Sequence, residues 1–204
     1  MASARAWIRF WVAGLGVAAL FGAAWLGAPR LAGGYHSLAL GLDAHVPYLP
    51  WMAQIYLVGY ALPLAPLVIV RDPDVLLPGL AGLALVIVAA FGCFVLLPVA
   101  VPPPPWRGLG GAPLALAAID AFGGLRGNCF PSLHVAFATY VAVGFYATSH
   151  PARHVLSGIA VAIAASTVTL KLHFLLDLPA GAALGGAAAR VFAWPPLARW
   201  EARR

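Results

Sequence analysis

Residues 76–98 have the sequence LLPGLAGLALVIVAAFGCFVLLP and contain no acidic or basic side chain. A helix of about 20 apolar residues spans the roughly 30 Å hydrocarbon core of a bilayer, so this stretch is long enough to cross a membrane. The whole chain shares the bias, since 63% of its residues are apolar and only 9% are charged. Soluble domains carry roughly 45–50% apolar and about 25% charged residues. The composition therefore excludes an ordinary soluble domain, a disordered chain and a nucleic-acid binder.

Six apolar stretches of this kind predict an all-α, polytopic membrane bundle with about six transmembrane helices and both termini on the same side. In the last stretch, Gly181 and Gly185 form a small-xxx-small step that allows close helix packing. The chain shows no repeat and no second domain, so residues 1–204 are expected to form one unit. The predicted spans are 7–27, 51–70, 76–98, 131–149, 155–172 and 178–195.

The twelve basic residues favour one orientation of these spans. Cytoplasmic loops of membrane proteins carry an excess of Lys and Arg. If both termini are cytoplasmic, eight of the twelve face inward, so the net charge of +6 is mainly a topology signal for a plasma (inner) membrane protein. Two long outer loops then cover residues 28–50 and 99–130. The four outward-facing basic residues are Arg30, Arg107, Arg126 and Lys171.

Polar residues at membrane depth gather near the predicted outer face. Inserting a charged side chain at the centre of a transmembrane helix costs on the order of 2.5–3.5 kcal/mol, so charged residues at this depth mark functional sites. In the segment FPSLH, residues 130–134, Pro131 is expected to open the fourth span. Ser132 and His134 then lie in the first turn, where backbone N–H groups and the helix dipole suit a phosphate. A capped helix start with an interfacial histidine explains the same segment equally well.

The second polar cluster is KLHFLLD, residues 171–177. His173 and Asp177 are four residues apart, so one helical turn, or a tight turn between spans, brings the carboxylate to the imidazole. A carboxylate on one ring nitrogen fixes the tautomer and raises the basicity of the other, as a nucleophilic histidine requires. Lys171 could hold a phosphate oxygen. A lone HxxxD arises often by chance, but its combination with FPSLH at one membrane face indicates a catalytic site.

The two clusters resemble signatures of the type 2 phosphatidic acid phosphatase superfamily, which contains membrane phosphatases, phosphotransferases and vanadium haloperoxidases. Its motifs are KxxxxxxRP, PSGH and SRxxxxxHxxxD. Here Pro131 to His134 resemble the second motif, and the run from Ser166 to Asp177 resembles the third. FPSxH, together with HxxxD followed by Ala-Gly, is similar to the branch that contains inositol phosphorylceramide synthases. The motif core covers residues 128–181, and the six-span plan extends the similarity over most of the chain.

The chain departs from the family pattern at two points. The first motif is absent, because Lys171 is the only lysine in the sequence. Arg107 follows the third span at the corresponding place and is a candidate phosphate contact. Thr167 stands where the third motif has an arginine, so Lys171 or Arg126 would supply the missing charge.

The resemblance implies a metal-independent phosphatase or phosphotransferase that needs no cofactor. In such an enzyme His173 attacks the phosphorus and forms a phosphohistidine, Asp177 orients His173, and His134 protonates the leaving oxygen and then activates the acceptor. The expected substrate is a phospholipid or polyprenyl phosphate in the bilayer, with its head group at the outer, periplasmic face. The phosphate contacts implied in this way are Ser132, Lys171, Arg126 and Arg107.

Two other functional classes are compatible with the sequence. His134, His173 and Asp177 could hold zinc in an intramembrane hydrolase, although Lys171 and Arg126 would repel a cation. The missing first motif also allows a catalytically inactive homologue or a transport partner. Transporters tend to place charges near the bilayer midplane and often contain inverted repeats, and neither feature is visible here. The sequence does not indicate an oligomeric state.

Overall fold

A computed structural model describes residues 3–107, 113–123 and 127–203. Within these ranges the regular structure is helical, and β pairing is limited to isolated bridges, which confirms the all-α prediction. Short 3-10 turns cover Gly41–His45, Pro50–Met52 and Leu62–Leu64. The α-helices are α1 (Ala4–Leu31), α2 (Ala53–Ala61), α3 (Ala65–Ile69), α4 (Pro73–Leu96), α5 (Leu114–Gly123), α6 (Leu133–Tyr146), α7 (Ala152–Thr169), α8 (Asp177–Phe192) and α9 (Trp194–Glu201).

Helices occupy all six predicted spans, but in the described part of the chain four are long and apolar enough to cross a membrane. These four are α1, the helical stretch Pro50–Ile69 that contains α2 and α3, α4, and α7. In contrast, α6 and α8 have 14 and 16 residues, fewer than the about 20 that span a full hydrocarbon core. The chain is thus a multi-pass membrane protein, and the arrangement of six spans with cytoplasmic termini stays a prediction.

Two prolines divide the second helical stretch. Proline lacks a backbone N–H, and its ring clashes with the preceding turn, so it interrupts an α-helix. Pro63 lies in the 3-10 turn Leu62–Leu64 that separates α2 from α3, and Pro66 lies in the first turn of α3. Both prolines line a cavity beside α6. The break therefore shapes one wall of that cavity.

Close packing of α6 against α8 sets the position of the polar clusters. A Cβ atom added to Gly185 would overlap the carbonyl group of Ala136, and one added to Gly181 would lie 2.5 Å from the carbonyl oxygen of Ser132. Only glycine permits such an approach of two helices, so the close packing predicted for these glycines is confirmed. Because Asp177 is the first residue of α8, this contact brings the starts of both helices together.

Backbone hydrogen bonds join the two long loops at the same end of the bundle. The N–H of His36 donates to the carbonyl of Pro98 at 2.8 Å, and the N–H of Ala100 returns to the carbonyl of His36 at 3.1 Å. Residues 98–100 thus pair with the loop after α1 on one side. On their other side, the N–H of Cys129 donates to the carbonyl of Val99 at 3.3 Å. The loop after α1 therefore helps to hold the segment that leads into α6.

Candidate active site

His173 and Asp177 meet in the connection between α7 and α8. Lys171 follows the end of α7 with a left-handed φ of 58°, which turns the chain towards α8. Nδ1 of His173 lies 3.0 Å from Oδ2 of Asp177, and both side chains are buried. The same oxygen accepts the backbone N–H of Phe174 at 2.9 Å. With Nδ1 donating its proton to the carboxylate, Nε2 of His173 carries the lone pair.

Ser132 links this pair to the start of α6. It is fully buried, and its Oγ lies 3.4 Å from Nε2 of His173. Its backbone N–H donates to the carbonyl of Asp177 at 3.3 Å. Ser132, His173 and Asp177, which the two motifs contribute separately, therefore form one buried cluster.

The start of α6 differs in one detail from the sequence prediction. Pro131 does not open the helix, because Ser132 is the N-cap and α6 begins at Leu133. Oγ of Ser132 accepts the backbone N–H of Val135 at 3.4 Å, an interaction that proline cannot offer. Ser132 thus has two functions, since the hydroxyl that caps α6 also faces His173.

His134 lies in the first turn of α6 inside an aromatic enclosure. Its ring stacks on Tyr56, with 4.0 Å between ring centroids, and meets the edge of Tyr60 at 4.7 Å. A Cβ atom on Gly59 would lie 2.6 Å from Cδ2 of His134, so the absence of a side chain there makes room for the imidazole. Nε2 of His134 is buried and has no hydrogen-bonding partner among the described residues. Buried polar atoms are usually paired, so this unpaired nitrogen is a candidate contact for a ligand atom.

A cavity of about 50 Å³ lies beside His173. This volume accommodates a few water molecules or a polar group of similar size. Asn128 and Arg107 contribute polar side chains to its wall. Nδ2 of Asn128 donates to the carbonyl of Trp25 in α1 at 3.2 Å, whereas its Oδ1 is buried without a partner among the described residues. Asn128, Arg107 and the imidazole of His173 therefore share the wall of one small cavity.

The basic residues predicted as phosphate contacts lie in different places. Arg107 lines the small cavity, and its Nε donates to Oδ1 of Asp120 at 3.0 Å in a partly buried ion pair. That contact leaves the two terminal nitrogens of the guanidinium for other acceptors. Arg126 falls between the described ranges, so its predicted contact is not located.

Lys171 is attached to the loop that follows α1. Its Nζ donates to the carbonyl of Asp43 at 3.0 Å and also to the carbonyl of Val46. Oδ1 of Asp43 in turn accepts the backbone N–H of Leu175 at 2.8 Å. The loop is thereby fixed on both sides of His173, and a direct phosphate contact of Lys171 stays a prediction.

Three residues of the site were not identified from the sequence. Tyr56 and Tyr60 enclose His134. The sequence feature that could have identified them is their spacing of four residues, which places both on one face of a helix. Asn128 lines the small cavity, and its signal is a polar side chain immediately before the FPSLH segment. These side chains complete the surroundings of the two histidines.

The zinc alternative finds no support in this geometry. His134, His173 and Asp177 all lie in the described part of the chain, where no three His, Cys, Asp or Glu side chains are grouped so that they could hold a metal ion. His134 is enclosed by tyrosines, and Asp177 directs its carboxylate to His173. The contact that the structure does show is the hydrogen bond between His173 and the carboxylate of Asp177.

Comparison with known proteins gives one match. A family model described as the PAP2 superfamily matches residues 80–200, which is more than half of the chain. The matched range contains the FPSLH segment and the turn with His173 and Asp177. No curated protein and no solved structure matches the chain.

Proposed function

The chain belongs to the PAP2 superfamily, the type 2 phosphatidic acid phosphatases, and from this premise we propose that it is a membrane lipid phosphatase or phosphotransferase with a phosphohistidine intermediate. Family membership makes it a phosphatase-type membrane enzyme. The observation that carries the finer proposal is the position of His173, whose Nδ1 lies 3.0 Å from Asp177 and whose Nε2 is directed towards Ser132. A buried imidazole held in this tautomer is an activated nucleophile.

In the first step Nε2 of His173 attacks the phosphorus. The N–P bond forms as the ester P–O bond breaks, and the leaving oxygen takes a proton from Nε2 of His134. Positive charge on His173 is stabilised by the buried carboxylate of Asp177. A positioned histidine acid typically accelerates such a step about 10²–10⁴-fold.

In the second step an acceptor oxygen replaces the histidine. His134 removes the proton of a water molecule or an alcohol, the oxygen attacks the phosphorus, and the N–P bond to His173 breaks. Water yields inorganic phosphate, whereas inositol or a lipid hydroxyl yields a new phospholipid, as in the branch with inositol phosphorylceramide synthases. Either outcome uses the same residues, because phosphoryl transfer depends mainly on positioning and charge stabilisation.

The phosphate is proposed to lie in the small cavity between His173 and Arg107. Arg107 and Asn128 line that cavity, and Ser132 reaches His173 with its hydroxyl. Donors aimed at the equatorial oxygens stabilise the charge of the transition state. Lys171 and Arg126 remain proposed phosphate contacts. The ammonium group of Lys171 has three N–H donors, and the two loop carbonyls accept from two of them, which leaves one donor for the phosphate.

The proposed substrate is a phospholipid or polyprenyl phosphate at the outer, periplasmic face of the plasma membrane. The distribution of basic residues supports this orientation, because it favours cytoplasmic termini. The polar clusters then lie on the opposite side, at the end of the bundle where the two long loops are joined. The substrate would reach the site within the outer leaflet.

A product assay with the purified protein tests the proposal. The protein is incubated with labelled phospholipids and polyprenyl phosphates, with and without inositol or a lipid alcohol, beside a His173→Ala variant. We expect labelled phosphate or a new phospholipid from the wild type and neither from the variant, with activity unchanged by EDTA. Activity that is lost in EDTA and restored by zinc would favour the metal-dependent hydrolase, and no product from any donor would favour an inactive homologue.

A further inference from the structure

A second, larger cavity of about 480 Å³ lies beside α6. Its volume falls within the roughly 300–1,000 Å³ range of pockets that bind small molecules. Side chains from α1, α2, α3 and α4 form the facing walls, and the lining is almost entirely aliphatic or aromatic. Apart from two indoles, its polar side chains are those of Tyr60, His134 and Tyr140. The hydroxyl of Tyr140 is already used, since it donates to the carbonyl of Gly79 at 2.8 Å.

We propose that this cavity holds a hydrocarbon chain of the lipid phosphate during turnover. The inference rests on the proposed function, and it follows from which oxygen His134 must protonate. That oxygen belongs to the leaving alcohol, which in a lipid phosphate carries the hydrocarbon. His134 lines the large apolar cavity, whereas His173 lines the small one with Arg107 and Asn128. The two cavities thus match the two halves of the substrate.

The shape of the cavity suits an extended chain. Lining residues of α6 recur on successive turns from His134 to Phe145. At 1.5 Å of rise per residue, the cavity follows the helix for about 16 Å. On α1 the lining extends from Trp25 to Phe10. The space therefore runs lengthwise between helices, with the reacting histidine at one end.

The cavity opens sideways along α1 and the second helical stretch. Trp11 and Leu15 of α1 line it while 54% and 71% exposed, and Leu64 on the opposite wall is 58% exposed. These exposed residues lie far from His134 along the cavity, so the end of the cavity away from the histidine is open to the hydrocarbon of the bilayer. Lipid tails are as apolar as leucine, so transfer into the cavity gains little hydrophobic free energy. The cavity is therefore expected to select chain length and shape and to contribute little to overall affinity.

Two glycines of α1 provide a matched pair of variants. Gly14 lines the cavity, and a Cβ atom there would have its nearest neighbour, Cδ1 of Leu80, at 4.0 Å. Gly16 is not part of the lining, and a Cβ atom there would meet no atom within 4 Å. Gly14→Leu fills the cavity, whereas Gly16→Leu adds the same side chain to the same helix outside it. Both changes replace glycine with a good helix former.

The first measurement is kcat/KM for dioctanoyl and dioleoyl phosphatidic acid in mixed micelles. We expect Gly14→Leu to lower the ratio of dioleoyl to dioctanoyl turnover about tenfold or more. Gly16→Leu should keep the wild-type ratio. An unchanged ratio in Gly14→Leu, or an equal fall in both variants, would overturn the assignment of the cavity.

A second measurement does not depend on turnover. Phosphatidic acid with a diazirine at the end of one acyl chain is photolysed with the wild-type protein, and the labelled residues are mapped by mass spectrometry. We expect labels on cavity residues such as Phe137 and Leu80, and labels confined to outward-facing residues such as Ile8 and Val12 would contradict the proposal. Cavity labels without turnover would overturn the proposed function alone, and turnover without cavity labels would overturn this inference alone.

Discussion

The imidazole of His173 is held between the starts of two helices, with Nδ1 3.0 Å from the carboxylate of Asp177, the first residue of α8. Its Nε2 lies 3.4 Å from Oγ of Ser132, the N-cap of α6. The direction of the lone pair on Nε2 therefore depends on the packing of α6 against α8. Substitutions of the candidate catalytic side chains and substitutions that disturb the packing of α6 on α8 should both alter turnover. Only the second kind should also lower the stability of the protein.

Replacing either histidine should stop catalysis without unfolding the protein. His173→Ala removes the proposed nucleophile, and His134→Ala removes the proposed acid, so we expect phosphate release to fall by a factor of about 10² or more in each variant. His154→Ala is a matched control, since His154 is exposed at the opposite end of α7. Initial rates of phosphate release and thermal unfolding are measured together. Wild-type rates in either His173→Ala or His134→Ala would contradict the assigned roles.

Asp177→Asn should impair kcat more than KM. The amide keeps the shape of the side chain but removes the negative charge that stabilises positive charge on His173. We expect kcat to fall on the order of 10²-fold while KM changes little. Steady-state kinetics over a range of lipid fractions separates the two terms. A rise in KM with unchanged kcat would instead place Asp177 in substrate binding.

Gly185→Ala should destabilise the protein, whereas Gly186→Ala should not. A methyl group at Gly185 would overlap the carbonyl of Ala136, while the same group at Gly186 would lie 3.8 Å from Thr139, an ordinary contact. Alanine in place of glycine within a helix is otherwise favourable by about 1 kcal/mol. Thermal unfolding in detergent should therefore show a lower Tm for Gly185→Ala and an equal or higher Tm for Gly186→Ala. Equal Tm values in the two variants would refute close packing of α8 on α6.

Lys171 and Asp43 should behave as a coupled pair. Lys171 donates to the carbonyl of Asp43, and the carboxylate of Asp43 binds the N–H of Leu175, so both hold the same loop beside His173. Lys171→Ala and Asp43→Ala should each lower activity. The fold-decrease in activity of the double variant should be smaller than the product of the fold-decreases of the two single variants. Inhibition by inorganic phosphate is measured in parallel. A loss of phosphate affinity in Lys171→Ala that Asp43→Ala lacks would instead support direct contact of Lys171 with the substrate.

Cys129 should react slowly with alkylating reagents at neutral pH. Burial raises the pKa of its thiol to about 12, and the thiolate is the reactive form. Because the pKa is raised, the thiol stays protonated near pH 8, and its alkylation rate should still be rising with pH above 9. The measurement is mass spectrometry of iodoacetamide-treated protein in a Cys93→Ser background. Rapid modification of Cys129 at pH 7 would show that the segment before α6 is open to solvent.

Much of the candidate site can be predicted from the sequence because the spacing of its residues is local. His173 and Asp177 are four residues apart, and either a helical turn or a tight turn brings them together, so the pairing did not depend on the rest of the fold. The structure shows the tight turn, with Asp177 as the first residue of α8. The sequence likewise predicts a helix start at Ser132 and His134, because proline is favoured at the first helical position. The structure keeps the helix start in this segment but places it after Pro131, with Ser132 as the N-cap.

Other contacts could not be derived from the pattern of residues. Lys171 binds backbone carbonyls of a distant loop, and every residue offers such a carbonyl, so no sequence signal distinguishes this partner from a phosphate. The enclosure of His134 by Tyr56 and Tyr60 depends on how α2 is rotated against α6, which tertiary packing decides. The lengths of α6 and α8 likewise depend on where caps and loops end the helices.

Much of the wall of the large cavity comes from residues that precede the family match, whereas both candidate histidines lie within it. The family match begins at residue 80 and includes both histidines and Asp177, whereas Gly14, Tyr60 and much of the cavity wall precede it. A chimera that carries residues 1–79 of a relative would keep the proposed reacting groups and receive a different cavity wall. Such a chimera should transfer preference for the lipid chain from donor to recipient, which makes residues 1–79 the natural target for redesigning selectivity.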